Sequence, residues 1–433
     1  MAGAMPNGSG GEGGAGGVLQ DARLSAYQKR LFLFLGVATF FEGYDFLALT
    51  QILPNLREDM GLGKDASGYL VGFINAGTII AFWLVRRADV WGRRRVLTIT
   101  IAGYTLFTFA SGLAPDVYSF AAFQLVARIF LIGEWAISMV IAAEEFPAAK
   151  RGMVIGVIQA CSSLGSIFCA GVVPLLLKTE YGWRSVYLVG IVPLVVLAFA
   201  RRSLRETSRF ESLRAARAEA EAAGAPKENL FRIWKTPYVK RLLAVALIWF
   251  IAYIPAQNAI AFWKEFAMTE RGFTDGEVGK AISIAAVGSM PFVFLSGKLI
   301  DVLGRRPGAT VIFGIGGVGV ALAYTLEGFW PLTMALMLGI FAASAWLPVL
   351  NAYTSELFPT DLRGMAFAWS NNLLGRLGYV LSPLAVGLVV SQTEAFGPVV
   401  ASLAAFNLVA IALIWKLMPE TKAMELEETA RVH

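Results

Sequence analysis

The chain has 433 residues, 57% of them hydrophobic and only 16% charged, whereas an ordinary soluble domain is about half apolar and a quarter charged. Its one histidine, His433, is the last residue, and its two cysteines, Cys161 and Cys169, share one apolar run, which excludes a histidine-ligated metal site and a histidine proton relay and argues against a disulfide framework. The net charge of +6 would suggest nucleic acid in a soluble protein, but the apolar residues collect in runs of about 20, long enough to cross a hydrocarbon core of about 30 Å, so the placement of charge matters more than its total and no nucleic-acid partner is expected.

In chain order, Met1–Gly17 is Gly-rich and lacks an apolar core. It reads as the start of a disordered cytoplasmic tail over residues 1–30 rather than as a signal peptide. Spans are predicted at 31–53, 67–86, 96–114, 117–143, 152–177 and 184–203. A charged, Ala-rich cytoplasmic linker, 204–239, does not span. Further spans follow at 240–267, 277–300, 309–327, 330–355, 364–391 and 395–418, then a cytoplasmic tail over 419–433. In lipid every backbone polar group needs an internal partner, so such runs are helices. The predicted fold class is all-α integral membrane, with twelve transmembrane helices in two six-helix bundles, 31–203 and 240–418. With the first span starting inside, roughly 28 of the 37 Lys and Arg fall on inner segments, a positive-inside bias that puts both termini in the cytoplasm. A monomer in the plasma (inner) membrane is expected.

The two bundles repeat. Asp89-Val90-Trp91-Gly92-Arg93-Arg94 recurs as Asp301-Val302-Leu303-Gly304-Arg305-Arg306, and Glu144-Glu145-Phe146-Pro147 with Arg151-Gly152 recurs as Glu356-Leu357-Phe358-Pro359 with Arg363-Gly364. Both motifs recur at an offset of 212 residues. Parallel duplicates related by an axis along the membrane normal place a substrate cavity between them near the midplane.

The pattern Gly-x-x-x-Asp-x-x-Gly-Arg-Arg, complete from Gly297 to Arg306, resembles the signature of the major facilitator superfamily. The first copy departs from it, with Val85 and Val90 at pattern positions. Trp183-Arg184, Arg205-Glu206-Thr207-Ser208-Arg209 and Pro419-Glu420-Thr421-Lys422 are similar to the branch holding sugar porters, metabolite:proton symporters and aromatic-acid:proton symporters. The resemblance implies alternating access gated by the loop motifs Asp89, Gly92, Arg93, Arg94, Glu144, Arg151, Gly297, Asp301, Gly304, Arg305, Arg306, Glu356 and Arg363. The two aspartates are expected to meet helix N-termini of the other half. The arginines are expected to pair with Glu144 and Glu356, holding the outward-open state.

Charges at membrane depth are functional candidates by default. Glu42 and Asp45 lie in the first span, Arg128 and Glu134 in the fourth, and Arg376 in the eleventh. At about 1.5 Å per residue, Glu42, Asp45, Arg128 and Arg376 lie roughly 16 to 21 Å deep, near the midplane. A carboxylate paired with Arg128 stays ionised. If the arginine moves away, burial favours the neutral acid and it takes up a proton. Glu42-Gly43-Tyr44-Asp45 is similar to the Asp-Gly-x-Asp motif of acid-transporting relatives and leaves open which acid titrates. A static buried ion pair is the structural alternative, and Glu134 could simply satisfy Arg128 or Gln124.

Arg376, without an intramembrane acid in its own half, suits a substrate carboxylate. Its alternative is capping backbone carbonyls. Other candidate cavity residues are Gln159, Gln257, Asn258, Trp346, Asn351, Tyr353, Asn371 and Asn372, each also a possible helix–helix hydrogen-bonding group. Pro255 is expected to break its helix. The aromatics at 250, 253, 262 and 263 read as lipid-facing, and Lys264 and Glu265 as a pair at the outer end. No nucleophile–base pattern, phosphate loop or selectivity filter is present, and neither cofactor nor metal is expected. The predicted function is secondary transport, with a proton carrying a small organic acid, possibly aromatic. A sugar or other neutral metabolite is the alternative, and an exporter is disfavoured by the missing Gly-Pro of the fifth span.

Overall fold

The computed structural model describes residues 24–192, 205–207, 210–212, 215 and 230–422. Residues 1–23 of the predicted N-terminal tail, most of the linker and the end of the C-terminal tail lie outside the described residues; residues 26–30, expected in that disordered tail, are helical.

The first helix, α1 (Ala26–Asp59), opens on a capping box in which Ser25 Oγ accepts from the Gln28 backbone and the Gln28 side chain accepts from Ser25. That satisfies donors an apolar run cannot, so the helix starts before the apolar run. The N-terminal half continues with α2 (Asp65–Asn75), α3 (Gly77–Trp91), α4 (Arg93–Gly112), α5 (Val117–Glu145), α6 (Ala148–Leu176) and α7 (Trp183–Leu188). Residues 193–203 of the predicted sixth span lie outside the described residues. The C-terminal half holds α8 (Val239–Ala261), α9 (Trp263–Thr269), α10 (Asp275–Leu303), α11 (Arg305–Ala323), α12 (Phe329–Ser344), α13 (Leu347–Glu356), α14 (Thr360–Phe367), α15 (Arg376–Thr393), α16 (Phe396–Ser402) and α17 (Ala405–Leu417). Ala368–Gly375, between α14 and α15, is a π-helical turn, a feature that often marks functional sites. Among the described residues, ten helices are long and apolar enough to cross a membrane. The predicted 96–114 span is the helix α4, whose threonines dilute its hydropathy.

Pro255 does not break its helix: α8 runs on to Ala261 and stops at Phe262. Two close crossings account for glycines that flank the charged candidates. A methyl on Gly43 would meet the Ser162 carbonyl oxygen at 1.9 Å, and one on Gly165 would meet that of Phe40 at 1.8 Å, so α1 and α6 touch backbone to backbone.

The core has three parts. One apolar cluster joins both halves, with Tyr44, Leu53, Val71 and Val173 packed alongside Phe266, Ala281, Leu336 and Val390. The other two each lie in a single half: Leu35, Leu97, Ile137 and Ile158 in the first, Trp249, Ile312, Trp346 and Leu362 in the second. Of the residues flanking this last cluster, only the half-buried Phe82 comes from the N-terminal half. Burial of apolar area drives packing, so the halves are joined at one end, here the far end, and parted at the other, the motif end.

Candidate functional site

At the motif end, each half closes its own charge network. Gly92 turns the chain between α3 and α4 at φ 97°, and Gly304 does the same between α10 and α11 at φ 101°, a region L side chains rarely enter. Each turn leaves a helix N-terminus bare, and a carboxylate covers it. Glu206 accepts from the backbone N–H groups of Arg93 (2.8 Å) and Arg94 (3.2 Å). Glu420 accepts from those of Arg305 (2.7 Å) and Arg306 (2.9 Å). Both satisfy orphan donors and meet the positive end of the helix dipole. Partial burial raises the Glu420 carboxyl, but these bonds and those from Lys422 and Thr421 hold it below the usual range. Arg93 pairs with Glu144 (3.3 Å) and Arg305 with Glu356 (2.7 Å), and each glutamate also accepts from a threonine, Thr207 or Thr421, at 2.5 Å.

Two expectations are corrected here. The N-termini of α4 and α11 are met by Glu206 and Glu420 of the same half, and Asp301 meets neither. Asp301 is exposed and pairs with Arg305 one turn away at 2.6 Å. The Arg93–Glu144 and Arg305–Glu356 pairs each lie within one half and so do not hold the halves together. The Asp89 and Arg151 side chains lie outside the described residues. Gly297 has open space where a side chain would go. Glu206, Thr207, Glu420 and Thr421 were read only as branch markers. Their spacing from the Gly-Arg-Arg turns carries no periodicity that would reveal the contact.

At mid-depth the expected ion pair is absent. No salt bridge joins Arg128 to Glu42 or Asp45 among the described residues. Arg128 stacks over Phe46 at 5.1 Å, and its buried Nη1 has no acceptor. Glu42 Oε2 is bonded to Ser162 Oγ at 2.7 Å and Asp45 Oδ2 to Thr108 Oγ1 at 3.3 Å. Glu134, fully buried, reaches neither Arg128 nor Gln124. It is bonded to Ser138 Oγ at 2.6 Å, while Gln124 donates to Ser111 at 2.9 Å. The two first-span acids also differ in outlook. Asp45 turns into its own half, beside Thr108 and Gly190, while Glu42 lies in the electrostatic range of Tyr379 in the other half.

Across the cleft, Arg376 begins α15 just after the π turn, half-buried and without a hydrogen bond or ion pair. Beside it is an aromatic wall. Tyr253 stands edge-on to Trp346 (5.1 Å) and Tyr379 (5.5 Å), and Trp346 edge-on to Trp249 (5.2 Å). Trp346 Nε1 is buried without an acceptor. Tyr253 donates to Asn371 Oδ1 at 2.7 Å, so it faces inward and not to lipid. Phe262 and Trp263 are also fully buried, because the chain bends at Phe262. Asn258 donates to Ser382 at 2.8 Å, a bond between α8 and α15. Gln257 and Asn372 are half-buried without partners. Gln159, exposed, accepts from Trp135 one helical turn from Ser162, the partner of Glu42. Two candidates lie elsewhere. Tyr353 points to the Glu420 and Arg306 network. Asn351 lines a 650 Å³ cavity with Thr354, Ser355, Arg363 and Phe367 at the motif end. The sequence does not place Tyr253 and Tyr379 on this wall, because an aromatic in a membrane helix reads equally as lipid-facing.

Two copies of one family model, the Major Facilitator Superfamily, match residues 35–262 and 250–432. The chain belongs to this superfamily. A major facilitator protein of Cupriavidus pinatubonensis named as a 4-methylmuconolactone transporter is 28% identical, over 93% of each chain. One of Bacillus subtilis named as a niacin/nicotinamide transporter is 25% identical, over 92% of this chain and 98% of its own. The solved D-xylose–proton symporter shares the fold, with a TM-score of 0.72 at 20% identity, covering 92% of this chain and 99% of that one. The fold and these relatives are those of transporters, not enzymes.

In this major facilitator chain the far end is closed by a mixed latch. Glu265 of α9 pairs with Arg57 of α1 at 3.2 Å and accepts from Ser67 of α2 at 2.6 Å. Its neighbour Lys264 donates to the Gln51 carbonyl and to Asn55 Oδ1 (3.0 Å) and pairs with Asp275 at 2.5 Å. Lys264 and Glu265 are thus partners of other elements and not of each other. Glycines let the halves meet: a methyl on Gly68 would lie 2.5 Å from Gly387 Cα.

Proposed function

We propose that this transporter moves a small organic acid together with a proton, by alternating access, and that the described conformation opens at the motif end. The single observation that carries this reading is that two arginines from opposite halves, Arg376 and Arg128, lie in electrostatic range of one tyrosine, Tyr379, each without an acidic partner. A guanidinium buried without a counter-charge, as Arg128 is, is a costly arrangement, and the half-buried Arg376 is free to hold a substrate carboxylate with bidentate geometry. Glu42 and Asp45, bonded only to hydroxyls, have the environment of neutral acids that have taken up a proton. When Arg128 returns to them the proton leaves. The relatives named for 4-methylmuconolactone and for niacin/nicotinamide are consistent with an organic-acid cargo, the nicotinamide of the second name being a neutral amide.

On this reading the motif end is cytoplasmic, both termini are inside, and the protein sits as a monomer in the plasma (inner) membrane. The bundles divide at 31–203 and 240–418. Glu134, fully buried and bonded only to Ser138, serves as a reserve acid. The Arg93–Glu144 and Arg305–Glu356 networks brace each half while it rocks. The alternative, a sugar or neutral metabolite, draws on Gln257 and Asn372, which have no partners and could bond hydroxyls.

The test is uptake into proteoliposomes under an inward proton gradient, with benzoate, nicotinate and cis,cis-muconate as cargo and D-xylose as the neutral comparison. Acid uptake is expected to collapse with the gradient. Asp45→Asn and Glu42→Gln should abolish gradient-driven accumulation and keep counterflow exchange. Undiminished proton dependence in both variants would remove the coupling assignment, and uptake of D-xylose alone would favour the neutral reading.

A further inference from the structure

One tyrosine stands where the two halves and both free arginines converge. Tyr379 lies on α15, one turn beyond Arg376, and is buried. Its backbone carbonyl accepts from Asn75 Nδ2 of α2 at 3.5 Å, a contact between the halves. The charged and titratable groups in electrostatic range of its phenol are Arg128 and Glu42 from the N-terminal half and Arg376 and Tyr253 from its own.

The state of its hydroxyl sets it apart. Buried tyrosines here do one of two things. Tyr44, Tyr253 and Tyr324 donate, to the Val186 carbonyl, Asn371 and the Asn258 carbonyl. Tyr104, Tyr187 and Tyr353 have hydroxyls sealed from solvent without a partner. The Tyr379 hydroxyl does neither: it is unbonded and not sealed. A buried ring whose one polar atom is left unbonded and accessible is poised to bond a ligand, since tyrosine uses its polar tip wherever a partner exists. The neighbouring Tyr253 cannot substitute, because its hydroxyl is already committed to Asn371.

We propose that Tyr379 is a substrate-contacting residue that links binding to protonation. Resting on the acid reading above, its hydroxyl donates to the substrate carboxylate held by Arg376. That places the anion between Arg376 and Arg128. The anion then holds Arg128 and keeps it from pairing with Glu42, so binding favours the protonated Glu42 over the ionised, Arg128-paired form. No bond other than hydrogen bonds forms or breaks. Recognition and coupling thereby share one side chain on the wall between the halves.

The test is isothermal titration of the purified full-length protein with benzoate, nicotinate and cis,cis-muconate, with proton uptake followed in weak buffer. Tyr379→Phe keeps the ring that packs on Tyr253 and removes only the hydroxyl. Binding of the acid that the wild type prefers is expected to weaken roughly tenfold or more, as for loss of a hydrogen bond to a charged group. At saturating acid, proton uptake per bound molecule should also fall, while the thermal midpoint stays unchanged. A purely structural role would move the midpoint and leave the proton count intact. Tyr379→Leu, which also removes the ring, serves as the second variant and should weaken binding further. Equal affinity and equal proton uptake in wild type and Tyr379→Phe would overturn the proposal while leaving the acid reading in place. Wild-type binding of D-xylose but of none of the three acids would instead overturn the acid reading, and this proposal with it.

Discussion

Arg57 and Glu265, 208 residues apart in the chain, form an ion pair of 3.2 Å between the two halves, with the glutamate side chain fully buried. The pair lies at the far end and holds one conformation shut, because the rocking that opens this end must separate it. Removing one partner of a buried pair leaves an uncompensated charge and costs about 3 kcal/mol. Glu265→Gln should therefore shift the population toward a state open at the far end. Spin labels on cysteines introduced at the exposed positions Gly61 and Glu327, with Cys161 and Cys169 replaced, would show a longer distance in the variant. An unchanged distance distribution would mean that the apolar contacts alone set the closure.

The crossing of α1 and α6 tolerates no side chain at Gly43. Gly43→Ala puts a methyl 1.9 Å from the Ser162 carbonyl oxygen, so the helices must part, at about 3 kcal/mol for overpacking. Its thermal midpoint in detergent should fall by several degrees. Gly171→Ala, where a methyl meets nothing within 4 Å, should leave the midpoint within a degree or raise it slightly through helix propensity. Equal midpoints for the two variants would contradict the packing account.

Acid should loosen the motif end. The Glu420 carboxyl is lowered in the folded protein, so its stabilisation is present above its unfolded value of about 4.3 and is lost as pH falls through the lower folded value. The midpoint should decline with falling pH in that window. Glu420→Gln should flatten this decline and reduce the midpoint at neutral pH by the equivalent of about 1 kcal/mol, the scale of a charge at a helix N-terminus. A decline of the same size in the variant would assign it to other groups.

Replacing Arg376 should separate charge from geometry. Arg376→Gln is expected to weaken binding of the transported acid tenfold to about a hundredfold, the range for hydrogen bonds to charged groups. Arg376→Lys should fall between, because an ammonium keeps the charge and loses the planar fork. Titration calorimetry reads both. Unchanged affinity in Arg376→Gln would place the carboxylate elsewhere.

The linear sequence determined the class, the pseudo-symmetry and the depth of the charges. A bilayer admits only internally bonded backbone, so apolar runs become helices wherever they fall. The 212-residue offset of two motifs placed Gly92 against Gly304 and Glu144 against Glu356 without reference to any contact. Tertiary structure decided who meets whom. Glu206 and Glu420 cover the N-termini of α4 and α11, because the chain returns to the turns only after span 6 and span 12. Glu265 faces Arg57 because α8 ends at Phe262, a bend that no residue pattern announces. Arg128 stands apart from Glu42 and Asp45 although all three lie in one half, because it stacks over Phe46 while Ser162 and Thr108 take the two carboxyls. Tyr379 emerged the same way: its ring is one apolar residue among many until the fold brings two arginines and an open hydroxyl around it.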